Sequence, residues 1–166
     1  MTEMKLKQAI KGQYHGGLEQ LRQTVDRCPE EVWTGGEHPR TYWRIAFHAV
    51  FYTHLYMGQN EESFRPWEKT RRNCELLWAE PEVVEPYTRS DILEYILTVD
   101  ASVDATIDGL DLDSEETGFH WYKGMNKLEH QLMNARHLQG HVGQLSERLM
   151  EHGIDIDWVA KLPRGV

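Results

Sequence analysis

Three histidines carry the strongest chemical signal in the chain: His48 within Phe47-His48-Ala49, and the pair His137 and His141 within His137-Leu138-Gln139-Gly140-His141. A spacing of four residues puts two side chains about 40° apart and one turn removed on a helix, so the two rings can converge. A buried imidazole needs partners for both ring nitrogens, and three gathered in one core would each need separate hydrogen bonds. One cation satisfies them jointly. Neutral imidazole suits zinc, nickel, copper or ferrous iron. No thiolate and no evident fourth protein ligand accompanies the three. That leaves a coordination position for water or substrate and favours chemistry over structural closure.

Helical periodicity must place these rings. With His137 as zero, Leu145, Leu138, Leu149, Val142, Ala135, Leu128 and Leu132 fall between about 80° and 220° at 100° per residue. The histidine pair flanks this stripe, and Asn134 and His130 share its edge. His48 sits in the middle of an apolar face made by Ile45, Phe51, Tyr52 and Leu55, so it points inward. His54 falls about 240° from His48 and reads as a surface or crossover contact. His15, His38, His120 and His152 read as loop, helix-end or exposed residues without a role.

Four segments show the helical period, and none of comparable length alternates as a half-buried strand does. Leu6, Ile10, Tyr14, Leu18, Leu21 and Val25 define a first helix over roughly 4–27, ended by Pro29. A Gly35-Gly36-Pro39 loop precedes a second, aromatic-rich helix over 41–59. Residues 61–87, with Pro66, Pro81 and Pro86 among Trp67, Leu76, Leu77 and Trp78, read as a crossover containing short helices. Thr88 and Asp91 form a capping box for a third helix that ends near Gly109, and its apolar stripe includes Ile92, Tyr95, Ile96, Val99, Val103 and Ile107. Asn126 caps a fourth, with Glu129 three residues on and Gly153 as its stop. The tail from Ile154 is irregular, with Ile156 and Trp158 docked on the helices. The class is all-α, in one domain spanning 1–166.

At 166 residues with 40% apolar content, one ordinary core is available and disorder is excluded. The formal charge of −9 opposes a surface built to neutralise phosphates, so nucleic acid is not an expected partner. The longest run free of Asp, Glu, Lys and Arg, residues 45–60, is too short to span a bilayer, and no leader pattern precedes it. Cys28 and Cys74 stand alone, as reduced thiols in a cytoplasm do. No G-x-S-x-G elbow, P-loop or dinucleotide fingerprint occurs. Glu129, Glu147 and Asp91 read as exposed helix carboxylates, so no general base is assigned.

A long first helix, a second helix carrying Phe47-His48-Ala49, and a fourth carrying His137-Leu-Gln-Gly-His141-Val-Gly-Gln-Leu145 together resemble the DinB/YfiT-like superfamily over nearly the whole chain. The resemblance implies a four-helix bundle of up-down-down-up topology whose histidines, here His48, His137 and His141, bind a divalent metal, nickel or zinc above others. Members of known activity are thiol-dependent S-transferases and isomerases using bacillithiol, mycothiol or glutathione. The expected function is accordingly metal-dependent thiol transfer or hydrolysis on a small-molecule substrate. Tyr52 and Asn134, near the ligand faces, are expected to orient that substrate, and relatives of this kind often form homodimers. The competing class is a non-catalytic, metal-stabilised bundle that serves as a dimerisation or binding module.

Overall fold

The computed structural model describes residues 2–160 and 162, and among them all regular structure is helical and no strand occurs. The helices are α1 (Glu3–Asp26), α2 (Glu30–Trp33), α3 (Tyr42–Met57), α4 (Arg89–Asp108) and α5 (Lys127–Met150). Local chemistry sets their ends. At the head of α4 the Thr88 hydroxyl accepts from the Asp91 N–H while the Asp91 carboxylate accepts from the Thr88 N–H, and Asn126 and Glu129 repeat the exchange on α5. Each box satisfies two backbone donors left over by a first helical turn. Beyond α5 the chain turns at Gly153, whose φ of 72° is a left-handed value that glycine adopts without strain.

The helix α1 packs on α4 and α5, and α3 packs on α5 and α4, around a core that includes Tyr14, Leu18, Phe47, Val50, Ile96, Val99, Leu138 and Val142. Gly17 permits the close approach of α1 to α5: a Cβ there would stand 2.8 Å from Leu138 Cδ2. No helix among the described residues is long and apolar enough to cross a membrane.

The relative register of α3 and α5 is fixed by polar side chains of α5 that donate to carbonyls near the end of α3. Lys127 Nζ donates to the Gly58 carbonyl at 3.1 Å, Gln131 Nε2 to that of Tyr56 at 2.9 Å, and Asn134 Nδ2 to that of Thr53 at 3.1 Å. Lys127 also donates to Thr117, and burial pushes its ammonium down to about 8. Each step back along α3 is thus a step forward along α5, so the two helices run antiparallel. Continued from Thr53 opposite Asn134, the pairing sets His48 opposite position 139, midway between His137 and His141.

Several sequence expectations are corrected. Among the described residues 61–87 contain turns and bends but no helix; prolines there remove donors that helices would need. Instead Arg44, buried on α3, donates through Nη2 to the carbonyls of Asn73 (3.1 Å), Leu76 (2.5 Å) and Ala79 (3.1 Å). Tyr87 adds a second brace: its hydroxyl donates to the Lys69 carbonyl and accepts from the Arg71 N–H, while its own carbonyl accepts from Trp33 Nε1. The short α2, unforeseen, supplies that tryptophan. Leu132, read as core, is 59% exposed, and Trp158, read as docked, is 78% exposed; Ile156 does pack on the core. His15, read as peripheral, is buried in α1, with Nδ1 2.5 Å from Asp100 and Nε2 3.2 Å from Asp104 of α4. His54 meets Phe64 of the crossover, and its Nδ1 lies 3.1 Å from the Tyr95 hydroxyl, as a crossover contact should.

Candidate metal centre

The register described above brings three imidazoles to one point. His137 Nε2 lies 3.1 Å from His48 Nε2 and 3.0 Å from His141 Nε2. Nitrogens bound to a common ion at about 2.1 Å lie no more than about 4.2 Å apart, and both separations meet that limit. Among the described residues His48, His137 and His141 form the one group of three or more His, Cys, Asp or Glu side chains close enough to share an ion.

The outer nitrogens decide what the inner ones can do. His48 Nδ1 is 2.6 Å from the Glu75 carbonyl, which can only accept, so the proton sits on Nδ1 and Nε2 presents its lone pair. His141 Nδ1 donates to Gln144 Oε1 at 2.7 Å, with the same consequence. Two lone pairs therefore face His137 Nε2 across hydrogen-bond distances, and one proton there serves only one of them well. An electron-rich cluster with its protons turned outward fits a cation. Outer partners of this kind, holding ligand rings by the far nitrogen, are what metal-bound histidines have. His137 Nδ1 is buried without a protein partner.

The electrostatics agree with neutral ligands. Burial pushes His48 down to about 3, opposed by the bond to Glu75 and reinforced by His141, His137 and the positive charge of Arg40. Burial and the charge of His141 push His137 down to about 4, and burial together with Arg40 lowers His141 against its bond to Gln144. All three stay deprotonated at neutral pH and ready to bind without first losing a proton.

A pH prediction follows. The buried His48 and His130 have folded values near 3 and 4, below the unfolded value near 6.5. Between those limits the unfolded chain binds protons that the folded chain refuses, so stability without metal falls as pH drops from about 6.5 and levels off below the folded values. Denaturant midpoints of the metal-free protein are expected to decline between pH 7 and 4. Replacement of both residues by Gln is expected to lessen that decline, and His54 and His137, which burial holds near 4, to keep the remainder.

Of the residues expected to orient substrate, Tyr52 stands against the cluster, its ring centroid 4.7 Å from that of His48 and 5.9 Å from that of His137. Burial, and next the charge of Glu75, push its phenol up to about 12. Asn134 lies elsewhere. It is fully buried, and its amide N–H groups go to the Tyr14 hydroxyl and the Thr53 carbonyl, so it braces the two helices rather than facing a substrate. Its neighbour His130 is enclosed by Tyr56, Phe119 and Tyr122.

Sequence reasoning missed three participants. Gln144, three residues after His141, was open to the same angular argument as the ligands. Arg40, just ahead of α3, and Glu75, in the crossover, carry no periodic signal. Comparison of the chain with family models, with curated proteins and with solved structures gives no match.

Proposed function

We propose that this chain is a metal-dependent enzyme of DinB/YfiT-like type, a four-helix bundle of up-down-down-up topology in which His48, His137 and His141 hold a divalent ion, nickel or zinc. The observation that carries the reading is the convergence of three Nε2 atoms with two of the outer nitrogens already donating to protein oxygens. A divalent ion held by imidazoles alone keeps positions for other ligands and allows a thiol or a water to lose its proton at neutral pH. His137 and His141 are only partly buried, which favours an ion that solvent reaches over a sealed structural one. Tyr52 supplies an aromatic wall beside the rings. The exposed Arg40, whose charge reaches His48 and His141, favours an anionic cosubstrate such as a low-molecular-weight thiol bearing carboxylates.

Turnover tests the reading. Protein loaded with nickel or zinc, offered bacillithiol, mycothiol or glutathione with electrophilic acceptors, is expected to form a thioether product, and chelator-treated protein is not. Arg40→Ala is expected to raise KM for the thiol with less effect on kcat, since the arginine attracts the cosubstrate in free enzyme and leaves the reacting atoms alone. A bound ion with no turnover on any thiol or hydrolysable ester would transfer support to a non-catalytic module.

A further inference from the structure

Three neutral imidazoles place a divalent ion in a partly buried site without cancelling any of its charge. A dication taken out of water with no anion nearby is costly, and metal centres of this kind draw on a neighbouring carboxylate. Glu75 is the candidate. It lies in the crossover, its carbonyl holds His48 Nδ1 at 2.6 Å, and its carboxylate is in electrostatic reach of Tyr52, which packs on His48 and His137.

The Glu75 Oε2 is buried and has no hydrogen-bond partner. The nearby guanidinium of Arg44 is turned to the carbonyls of Asn73, Leu76 and Ala79, and its Nε and Nη1 are also without partners, so the two charges stand near each other but form no direct bond. A carboxylate with a buried, unpartnered oxygen gains when a further positive charge is brought near, as a divalent ion on the histidines would be. The Arg44 bonds fix the loop on either side of position 75, and the bond from His48 to the Glu75 carbonyl holds that residue's backbone against the cluster before any ion arrives.

We propose that Glu75 is the anionic member of this centre: its backbone carbonyl aims His48 and its side chain supplies the negative charge that retains a divalent cation on the three histidines. It acts through charge and position and is outside the group of three converging ligands. The proposal rests on the metal reading above, and the test separates the two.

Zinc and nickel affinities are measured by competition with a chromophoric chelator for the wild-type chain, Glu75→Gln, Glu75→Ala and Glu82→Gln, an exposed carboxylate of the same loop. Glu75→Gln keeps the carbonyl that holds His48 and removes only the charge. The expected result is a loss of roughly 10- to 100-fold in affinity for both Glu75 variants, of the size seen when outer partners of metal ligands are removed. Glu82→Gln is expected to change affinity by less than about twofold, because an exposed charge at a distance is screened by salt. The metal-free melting temperature of Glu75→Gln should stay within about 4 °C of wild type, since the buried Oε2 has no hydrogen bond to lose. Glu75→Gln binding as tightly as wild type overturns the proposal, as does an affinity loss accompanied by a markedly lower metal-free melting temperature. A wild-type chain that binds neither metal overturns the metal reading itself, before any variant is compared.

Discussion

His137→Ala is expected to reduce affinity for zinc or nickel by far more than about 100-fold, beyond what removal of an outer-sphere group costs. His137 is the middle member of the cluster: its Nε2 is within 3.1 Å of both other Nε2 atoms. Its removal leaves two imidazoles on different helices, and neither can be replaced by the buried Asn134, whose amide is bound elsewhere. The fold should survive. The core of α5 rests on Leu138, Val142, Leu145 and Leu149, and its register on Lys127, Gln131 and Asn134, none of which bonds to His137. Metal content, far-ultraviolet circular dichroism and turnover on one preparation provide the check. Loss of metal with unchanged helicity supports a functional ion; loss of both shows a structural one, and full activity without metal ends the metalloenzyme reading.

His15→Ala is expected to do the reverse, leaving the cluster of His48, His137 and His141 intact and weakening the fold. His15 joins α1 to α4 through carboxylates one turn apart, and the side chains of His15 and Asp100 are 2% and 13% exposed. Truncating one partner of a buried hydrogen bond costs about 1 to 3 kcal/mol, to which the space left by the ring adds. At the size of this chain about 1 kcal/mol moves the melting temperature by roughly 2 to 4 °C, so a fall of about 4 °C or more is expected. Thermal unfolding of the variant, with and without zinc, measures it. A change below about 2 °C would show that His15 contributes packing alone.

The two histidines also mark what the sequence could and could not disclose. The pair on α5 was legible because both histidines lie on one helix, where a fixed angle per residue turns spacing into geometry. The four long helices were legible for the same reason, and both capping boxes formed where their residue types placed them. His15 was not, because its partners lie 85 and 89 positions away and nothing within α1 announces them. The face of α5 was misread at one edge. Leu132, about 220° from His137, is exposed, whereas Lys127, His130, Gln131 and Asn134, between about 20° and 120°, are buried. Lys127, Gln131 and Asn134 are buried because carbonyls near the end of α3 accept from them, and His130 because aromatic rings enclose it; an apolar-stripe argument counts such residues as outside. Glu75 escaped notice for a further reason. An irregular crossover has no period, and its conformation comes from an arginine on another element.

That arginine and His48 are four residues apart on α3, one turn from each other on the same face. Both grip the crossover, Arg44 at Asn73, Leu76 and Ala79 and His48 at Glu75. Since most of its anchors belong to a single helix, the segment around residues 73–79 has little independent stability to lose. It should detach from α3 as one cooperative unit or stay attached as one. In native-state hydrogen exchange its bonded amides, Cys74 and Leu76, are expected to open with one common free energy, and a divalent ion that secures His48 should slow both by the same factor.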